Sequence, residues 1–252
     1  MLEVKNLVKS YGVAKKKYPV LKGVNFKIER GEFVAIMGPS GSGKTTLLDC
    51  ISRYKPFEKG EILLDGIDLA KLNEKEIAKV RNEKIGFVFQ DFMLLDGLTI
   101  FENVCIPQVI KEEKYQLMEK RAERLLQMFD IDKIGKKYPA EISGGQKQRT
   151  AVARALINEP LMILADEPTG NLDSRSSEAV IEAFVKAKNE LQATILMVTH
   201  DSLSASYCDR VIIMRDGVVC TELANKGNRR EFFNELMDVL RQLNGGDNND
   251  IK

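Results

Sequence analysis

Three observations predict an α/β protein with a parallel sheet. Several runs are continuously apolar, among them LMILA at 161–165 and ATILMV at 193–198. Amphipathic stretches of helical spacing separate them, and one apolar run ends in a glycine-rich loop. Continuously apolar strands alternating with helices imply a sheet covered on both faces. The 252 residues are 44% apolar, enough for a packed core and too many for a wholly disordered chain. No repeat or low-complexity linker divides them, so one α/β unit with an inserted helical block is expected.

The elements follow in order. LEVKNLVKSY and VNFKIERGEFVAIMG carry alternating or β-branched apolar positions, split at Gly31, and read as strands. A helix is expected from Thr45 to about Ser52. Gly60–Leu69 reads as a hairpin turning at Asp65-Gly66. Lys84–Gln90 reads as a strand. From Thr99 to Phe129 the period is helical, with Leu117, Arg121, Leu125 and Met128 near one turn apart. A helix begins near Ser143 and is stopped by Pro160. LMILADEP is a buried strand, followed by a helix from about Arg175 to Leu191. ATILMVTH is another buried strand, and RVIIMRDGVV a strand and turn. In the tail, Phe232, Phe233, Leu236, Met237 and Leu240 share one helical face, read as docked on the chain's own core with a partner contact as the alternative. GGDNND after it is polar and expected to fray.

Charge narrows the function. Lys and Arg number 38 against 37 Asp and Glu, a net charge of +1, so a surface that binds nucleic acid through excess positive charge is not expected. A single histidine argues against a multi-histidine metal centre. Cys50, Cys105, Cys208 and Cys220 form no C-x-x-C pair, and a chain of this size needs no disulfide staples, so they read as reduced thiols. The N-terminus has no apolar secretion signal, and no window approaches the ~18–20 apolar residues that span a bilayer. If the protein works at a membrane, another chain is expected to do the spanning.

Gly38-Pro39-Ser40-Gly41-Ser42-Gly43-Lys44-Thr45 matches G-x-x-x-x-G-K-[ST] in full, with an apolar strand before it and a helix after it. Its glycines let successive backbone N–H groups turn inward as an anion nest, and the helix start adds its positive end. Lys44 supplies a point charge for the β/γ-phosphates, and the Thr45 hydroxyl a ligand for Mg²⁺. Asp166 and Glu167 end a buried strand, where carboxylates face the ligand crevice of a parallel sheet. An acid pair at a strand end is also an ordinary solvated feature. Beside a phosphate loop, Asp166 is read as holding Mg²⁺ through its water shell and Glu167 as the base or orienting group for the attacking water. Ser143-Gly144-Gly145-Gln146 starts a helix with Ser143 as its cap, a second anion-binding helix end.

With these residues together, positions 1–222 resemble the ATP-binding cassette (ABC) ATPases. The resemblance implies a P-loop NTPase fold: an ABC-type nucleotide-binding domain with a RecA-like core, an N-terminal antiparallel β subdomain and an inserted α-helical subdomain at about 91–160. Residues 223–252 form a C-terminal helical extension. The resemblance also implies a homodimer in which two chains, head to tail, sandwich two ATP molecules. ATP and Mg²⁺ are then held by Gly38, Ser40, Gly41, Ser42, Gly43, Lys44, Thr45 and Thr46 of one chain and by Ser143, Gly144, Gly145 and Gln146 of the other. Gln90 resembles the Q-loop glutamine that contacts Mg²⁺ and the attacking water. Asn171-Leu172-Asp173 is similar to the D-loop that crosses the dimer interface. Tyr11 resembles the aromatic that stacks on adenine, with Tyr18 a nearby rival. His200 resembles the switch histidine at the γ-phosphate. Ile142 stands where the family usually has leucine, a conservative departure.

Three function classes compete: the motor of a membrane transporter or mechanotransmitter, a soluble ABC protein of DNA repair or translation, and a nucleotide-binding regulator without turnover. A single cassette with a short helical block argues against the second, and the presence of Glu167 and His200 argues against the third. FQDFMLLDGLTIFENV, EISGGQKQRTAVARA and ADEPTGNLDS are similar to the subgroup that serves FtsX-like permeases, which handles lipoproteins, macrolides, cell-division signals and peptide antibiotics. ASYCDRVIIMRDG and NKGNRREFFNELMDVL resemble the bacitracin-type antimicrobial-peptide resistance ATPases of Gram-positive bacteria. The resemblance implies attachment to the cytoplasmic face of the membrane through the permease alone, whose coupling helix is expected in a groove beside Phe92, Leu94 and Leu95.

Overall fold

The computed structural model describes residues 1–13 and 16–245. In chain order the elements are β1 (Leu2–Val13), β2 (Lys16–Ile28), β3 (Phe33–Met37), α1 (Lys44–Ile51), β4 (Lys59–Leu64), β5 (Ile67–Asp68), α2 (Glu74–Glu83), β6 (Ile85–Val88), α3 (Ile100–Ile110), α4 (Tyr115–Met128), α5 (Gly144–Leu156), β7 (Met162–Asp166), α6 (Ser174–Leu191), β8 (Ile195–Val198), α7 (Ser202–Ala205), β9 (Arg210–Arg215), β10 (Val218–Ala224) and α8 (Arg229–Gly245). Among the described residues they form two sheets. One runs β2-β1-β4-β5 and is antiparallel; the other runs β10-β9-β3-β8-β7-β6. In the second sheet β3, β6, β7, β8 and β9 are parallel, and β10 is antiparallel at the edge.

Strand alternation decides which core each side chain enters, because successive residues point to opposite faces. Phe33, Ala35 and Met37 join the helices, with Ile163, Ala165, Ile195 and Met197. Val34 and Ile36 join the antiparallel sheet and α1, with Leu164, Leu196 and Val198. The central sheet is therefore apolar on both faces, as its continuous apolar runs require. All five parallel strands end at one edge of the sheet, where the phosphate loop follows β3 and Asp166 closes β7.

The structure departs from the sequence reading in four places. The helical stretch 99–129 is two helices, broken at Lys111–Lys114, where Glu112 takes a left-handed φ of 57°. The core face of α4 is Met118, Ala122, Leu125 and Leu126, not a stripe through Leu117 and Arg121; Leu117 is 46% exposed. Helix α2 was not anticipated. It buries one apolar side chain, Ile77, so its hydrophobic signal is thin. Its readable mark is the capping box, in which the Glu76 N–H donates to Asn73 Oδ1 at 3.0 Å and the Asn73 N–H to Glu76 Oε2 at 2.9 Å. The boundary at 222 falls inside β10, and Phe232 and Leu236 of α8 belong to the same core as the sheet. The expected fraying of GGDNND lies, beyond Gly245, outside the described residues.

The cysteines are free, and all but Cys220 are buried. Burial pushes the Cys50 thiol up to about 11 and that of Cys105 up to about 12. Both stay protonated and inert near neutral pH.

Candidate active site

The loop 38–43 wraps a cavity of about 730 Å³ lined by Gly38, Pro39, Ser40, Gly41, Gly43, Lys44, Thr45 and Thr46, with Glu167 and His200 opposite and Val20 of β2 at the side. The path of the loop excludes side chains at its start: a Cβ on Gly38 would lie 2.0 Å from the Met214 carbonyl oxygen. Gly43 caps α1 at a φ of 100°, a conformation that L side chains rarely adopt. Lys44 is 8% exposed, and its ammonium donates to the carbonyls of Gly38 (2.8 Å) and Pro39 (3.0 Å). Burial lowers its pKa, and the carboxylates of Glu167 and Asp166 oppose that shift.

The donor set fits a nucleotide phosphate. Among the described residues the Ser42 hydroxyl is buried with no hydrogen-bond partner, and the Lys44 ammonium hydrogen-bonds only to carbonyls of its own loop. A hard cation fits too. Thr45 Oγ1 donates to Asp166 Oδ1 at 3.4 Å, and burial, followed by the neighbouring Glu167 charge, raises the Asp166 pKa. A cation there would offset both effects.

Glu167 has a left-handed φ of 46°, held by its N–H donating to the Val198 carbonyl (2.9 Å) and by the Gly170 N–H donating to its own carbonyl (3.0 Å). Such a non-glycine conformation costs about 1–3 kcal/mol and survives where the surroundings over-determine it. It turns the Glu167 carboxylate toward His200, whose Nδ1 lies 2.8 Å from Glu167 Oε2 and whose backbone N–H donates to the same oxygen at 3.3 Å.

Gln90 stands at this edge but does not line the phosphate cavity. Its Nε2 donates to Asn171 Oδ1 at 3.0 Å, and Asn171 Nδ2 donates to Asp91 Oδ1 at 2.9 Å. The segment after it is held by α5. Gln148 donates to the Phe89 carbonyl at 3.1 Å, while Arg154 donates to the carbonyls of Phe92 (2.7 Å) and Met93. Burial pushes the Arg154 guanidinium down to about 10. The roles of Gln148 and Arg154 were not anticipated, since within an amphipathic helix they look like ordinary polar positions. A hollow beside this segment is lined by Phe87, Phe89, Met93, Ile106 and Pro107; Leu94 packs against the main core and Leu95 is exposed.

Ser143 caps α5, accepting from the Gln146 N–H at 3.3 Å, while the Ser143 N–H donates to Gln146 Oε1 at 3.0 Å. Gly145 is buried against α6, where a Cβ would come within 3.0 Å of Ser176 Cβ. Asp173 caps α6 through the Ser176 N–H (2.9 Å) and hydroxyl (2.7 Å). Ser143–Gln146 and Asp173 do not line the chain's own phosphate cavity. Tyr11 also lies outside that lining, its ring centroid 5.0 Å from the Lys9 ammonium and 5.5 Å from that of Lys55. Tyr18 is its cross-strand partner and is 61% exposed.

A phosphate loop on a covered parallel sheet, faced by an acid and a histidine at the strand ends, defines a nucleotide-hydrolysing protein. Residues 21–170 match the family model described as ABC transporter, and the chain belongs to that family. It is 46% identical over 251 residues to the ABC transporter ATP-binding protein YxdL of Bacillus subtilis, covering 100% of this chain and 97% of that protein. It is 45% identical over 250 residues to the bacitracin export ATP-binding protein BceA of Halalkalibacterium halodurans, covering 98% of each. The ATP-binding cassette MJ0796 of Methanocaldococcus jannaschii, solved as a dimer in a post-hydrolysis state bound to ADP and Pi, superimposes with a TM-score of 0.81. That likeness is at 40% identity and covers 90% of this chain and 100% of that one. The chain is thus an ATP-binding, ATP-hydrolysing subunit of an ABC transporter.

Proposed function

We propose that this ATPase drives a separate FtsX-like permease in resistance to antimicrobial peptides of the bacitracin or lantibiotic kind. The observation that carries the reading is the similarity to a bacitracin export ATP-binding protein along 98% of both chains, which takes in the C-terminal helix as well as the cassette. No helix among the described residues is long and apolar enough to cross a membrane. The working place is the cytoplasmic face of the membrane, reached through the permease. The protein is read as a cassette with its helical part at about 91–160, followed by a C-terminal extension beyond β10.

The same reading assigns the site. Two chains pair head to tail over two ATP molecules, which the dimeric cassette similar to this chain supports. Lys44 and the loop N–H groups bind the phosphates, with Gly38, Ser40, Gly41, Ser42, Gly43, Thr45 and Thr46 around them, and Tyr11 stacks on the base. Thr45, Asp166 and Gln90 would hold Mg²⁺, which would supply charge neutralisation at the phosphates. Glu167 takes the proton of the attacking water, and His200, tied to the same carboxylate, orients it toward the γ-phosphate. Ser143, Gly144, Gly145 and Gln146 approach the γ-phosphate of the partner's nucleotide, and Asp173 caps the helix beside them. Gln90 enters the site when it leaves Asn171.

Deleting the gene and measuring growth against bacitracin and a panel of lantibiotics tests the function. The deletion is expected to sensitise the cells, the intact gene to restore resistance, and the tagged protein to co-purify with a ten-span permease. Normal sensitivity to every peptide tried overturns the assignment.

A further inference from the structure

The C-terminal helix reaches the catalytic edge from behind. Phe232 and Leu236 anchor α8 in the core, and the Arg229 guanidinium sits 4.1 Å from the ring centroid of Tyr207. Its far end closes a hollow of about 220 Å³, where Leu240 and Leu243 face Gly38 and Pro39 of the phosphate loop, Met214 and His200. On the other side of His200, Phe233 of α8 shares a second hollow with Leu203 and Tyr207. The last turn of α8 holds no basic residue of its own. Arg215, at the end of β9, supplies that charge from outside: its Nη1 donates to the Leu243 carbonyl at 2.6 Å. That bond ties α8 to the end of β9, and a guanidinium on the C-terminal side of a helix meets the negative pole of its dipole.

His200 needs such support. Its side chain is 71% exposed and, among the described residues, hydrogen-bonds only to Glu167. The next residue, Asp201, caps α7 by accepting from the N–H groups of Leu203 (3.1 Å) and Ser204 (3.0 Å). Helix α7 in turn packs on α8. His200 is thus joined to α8 through α7 and the single residue Asp201.

We propose that Arg215 and Leu240 are positioning residues for His200, with α8 as the shelf through which they act. The proposal rests on His200 being the γ-phosphate residue. Neither side chain needs to touch the nucleotide. Their loss lets the end of α8 move, and the imidazole drifts from the place where it meets the water and the phosphate. Misplacement of a reacting group by about an ångström is enough to slow turnover substantially.

The chain's single histidine makes the test direct, because in histidine-labelled protein its imidazole resonance needs no assignment. The full-length protein, Arg215→Ala, Arg215→Lys, Leu240→Ala and the double variant are compared by that resonance and by steady-state ATP hydrolysis, with thermal melts to verify folding. The expected result is a shifted imidazole resonance in both alanine variants and about a tenfold fall in kcat, with KM for ATP within about twofold. Arg215→Lys restores much of both, and the double variant is no worse than the poorer single one, since the two act on one helix end. An unmoved resonance in folded Arg215→Ala and Leu240→Ala overturns the proposal, as do independent, multiplying effects. A resonance that moves while kcat does not, in variants where His200→Ala is also fully active, overturns the role of His200 and not the packing.

Discussion

Glu167 and His200 share one oxygen: the Nδ1 and the backbone N–H of His200 both approach Glu167 Oε2, at 2.8 and 3.3 Å. The carboxylate so held lines the same cavity as the phosphate loop. Among the described residues no hydrogen bond occupies its second oxygen, which can face a water.

Glu167→Gln keeps the shape and removes the base. Phosphate release is expected to fall by about 10²–10⁴, the usual worth of a general base. ATP binding persists, and the dimer accumulates with uncleaved nucleotide, read by light scattering after size exclusion. Wild-type hydrolysis by this variant removes the role.

Lys44→Ala deletes an ammonium that is nearly buried and, among the described residues, hydrogen-bonds only to its own loop. Equilibrium binding of a fluorescent ATP analogue is expected to be lost at concentrations that saturate the wild type. Unchanged affinity refutes the phosphate contact.

Tyr11 and Tyr18 are cross-strand partners, so one of them alone is expected to carry the base. Tyr11→Ala should weaken ATP binding by about 1–3 kcal/mol, the worth of a base–aromatic stack, while Tyr18→Ala changes little. The reverse result, measured by calorimetry, transfers the stacking role to Tyr18.

Gly86 lets β6 lie directly against α5. A Cβ there would sit 2.3 Å from the Ala155 carbonyl oxygen, where backbone must move. Gly86→Ala is expected to destabilise the fold by about 1–3 kcal/mol, the range for overpacking, seen as a lower denaturant midpoint with an unchanged slope. Because α5 also holds the segment after Gln90 through Gln148 and Arg154, hydrolysis should fall as well.

Much of the site is legible along the chain because its chemistry is local. The phosphate loop, the acid pair at the end of β7, the Ser143 cap and the histidine after β8 each sit at the end of a strand or the start of a helix. Short-range backbone geometry and residue type define such points. The parallel sheet is legible for a similar reason: strands buried on both faces must be apolar throughout. Helix faces were harder. Leu117 and Met118 are adjacent and both apolar, and only the neighbours of α4 choose which one is buried. The contact of Gln90 with Asn171 crosses 81 residues, and no pattern within either segment announces it.

Residue types and their spacing were enough to define the nucleotide chemistry and the α/β frame, since a nest, a cap and a strand end are made by neighbours in sequence. Packing assigned the rest: which side of α4 is buried, that α5 grips the loop after Gln90, and that α8 lies behind His200. Those outcomes depend on which distant surfaces meet and exclude water, a property of the assembled chain that no segment carries alone.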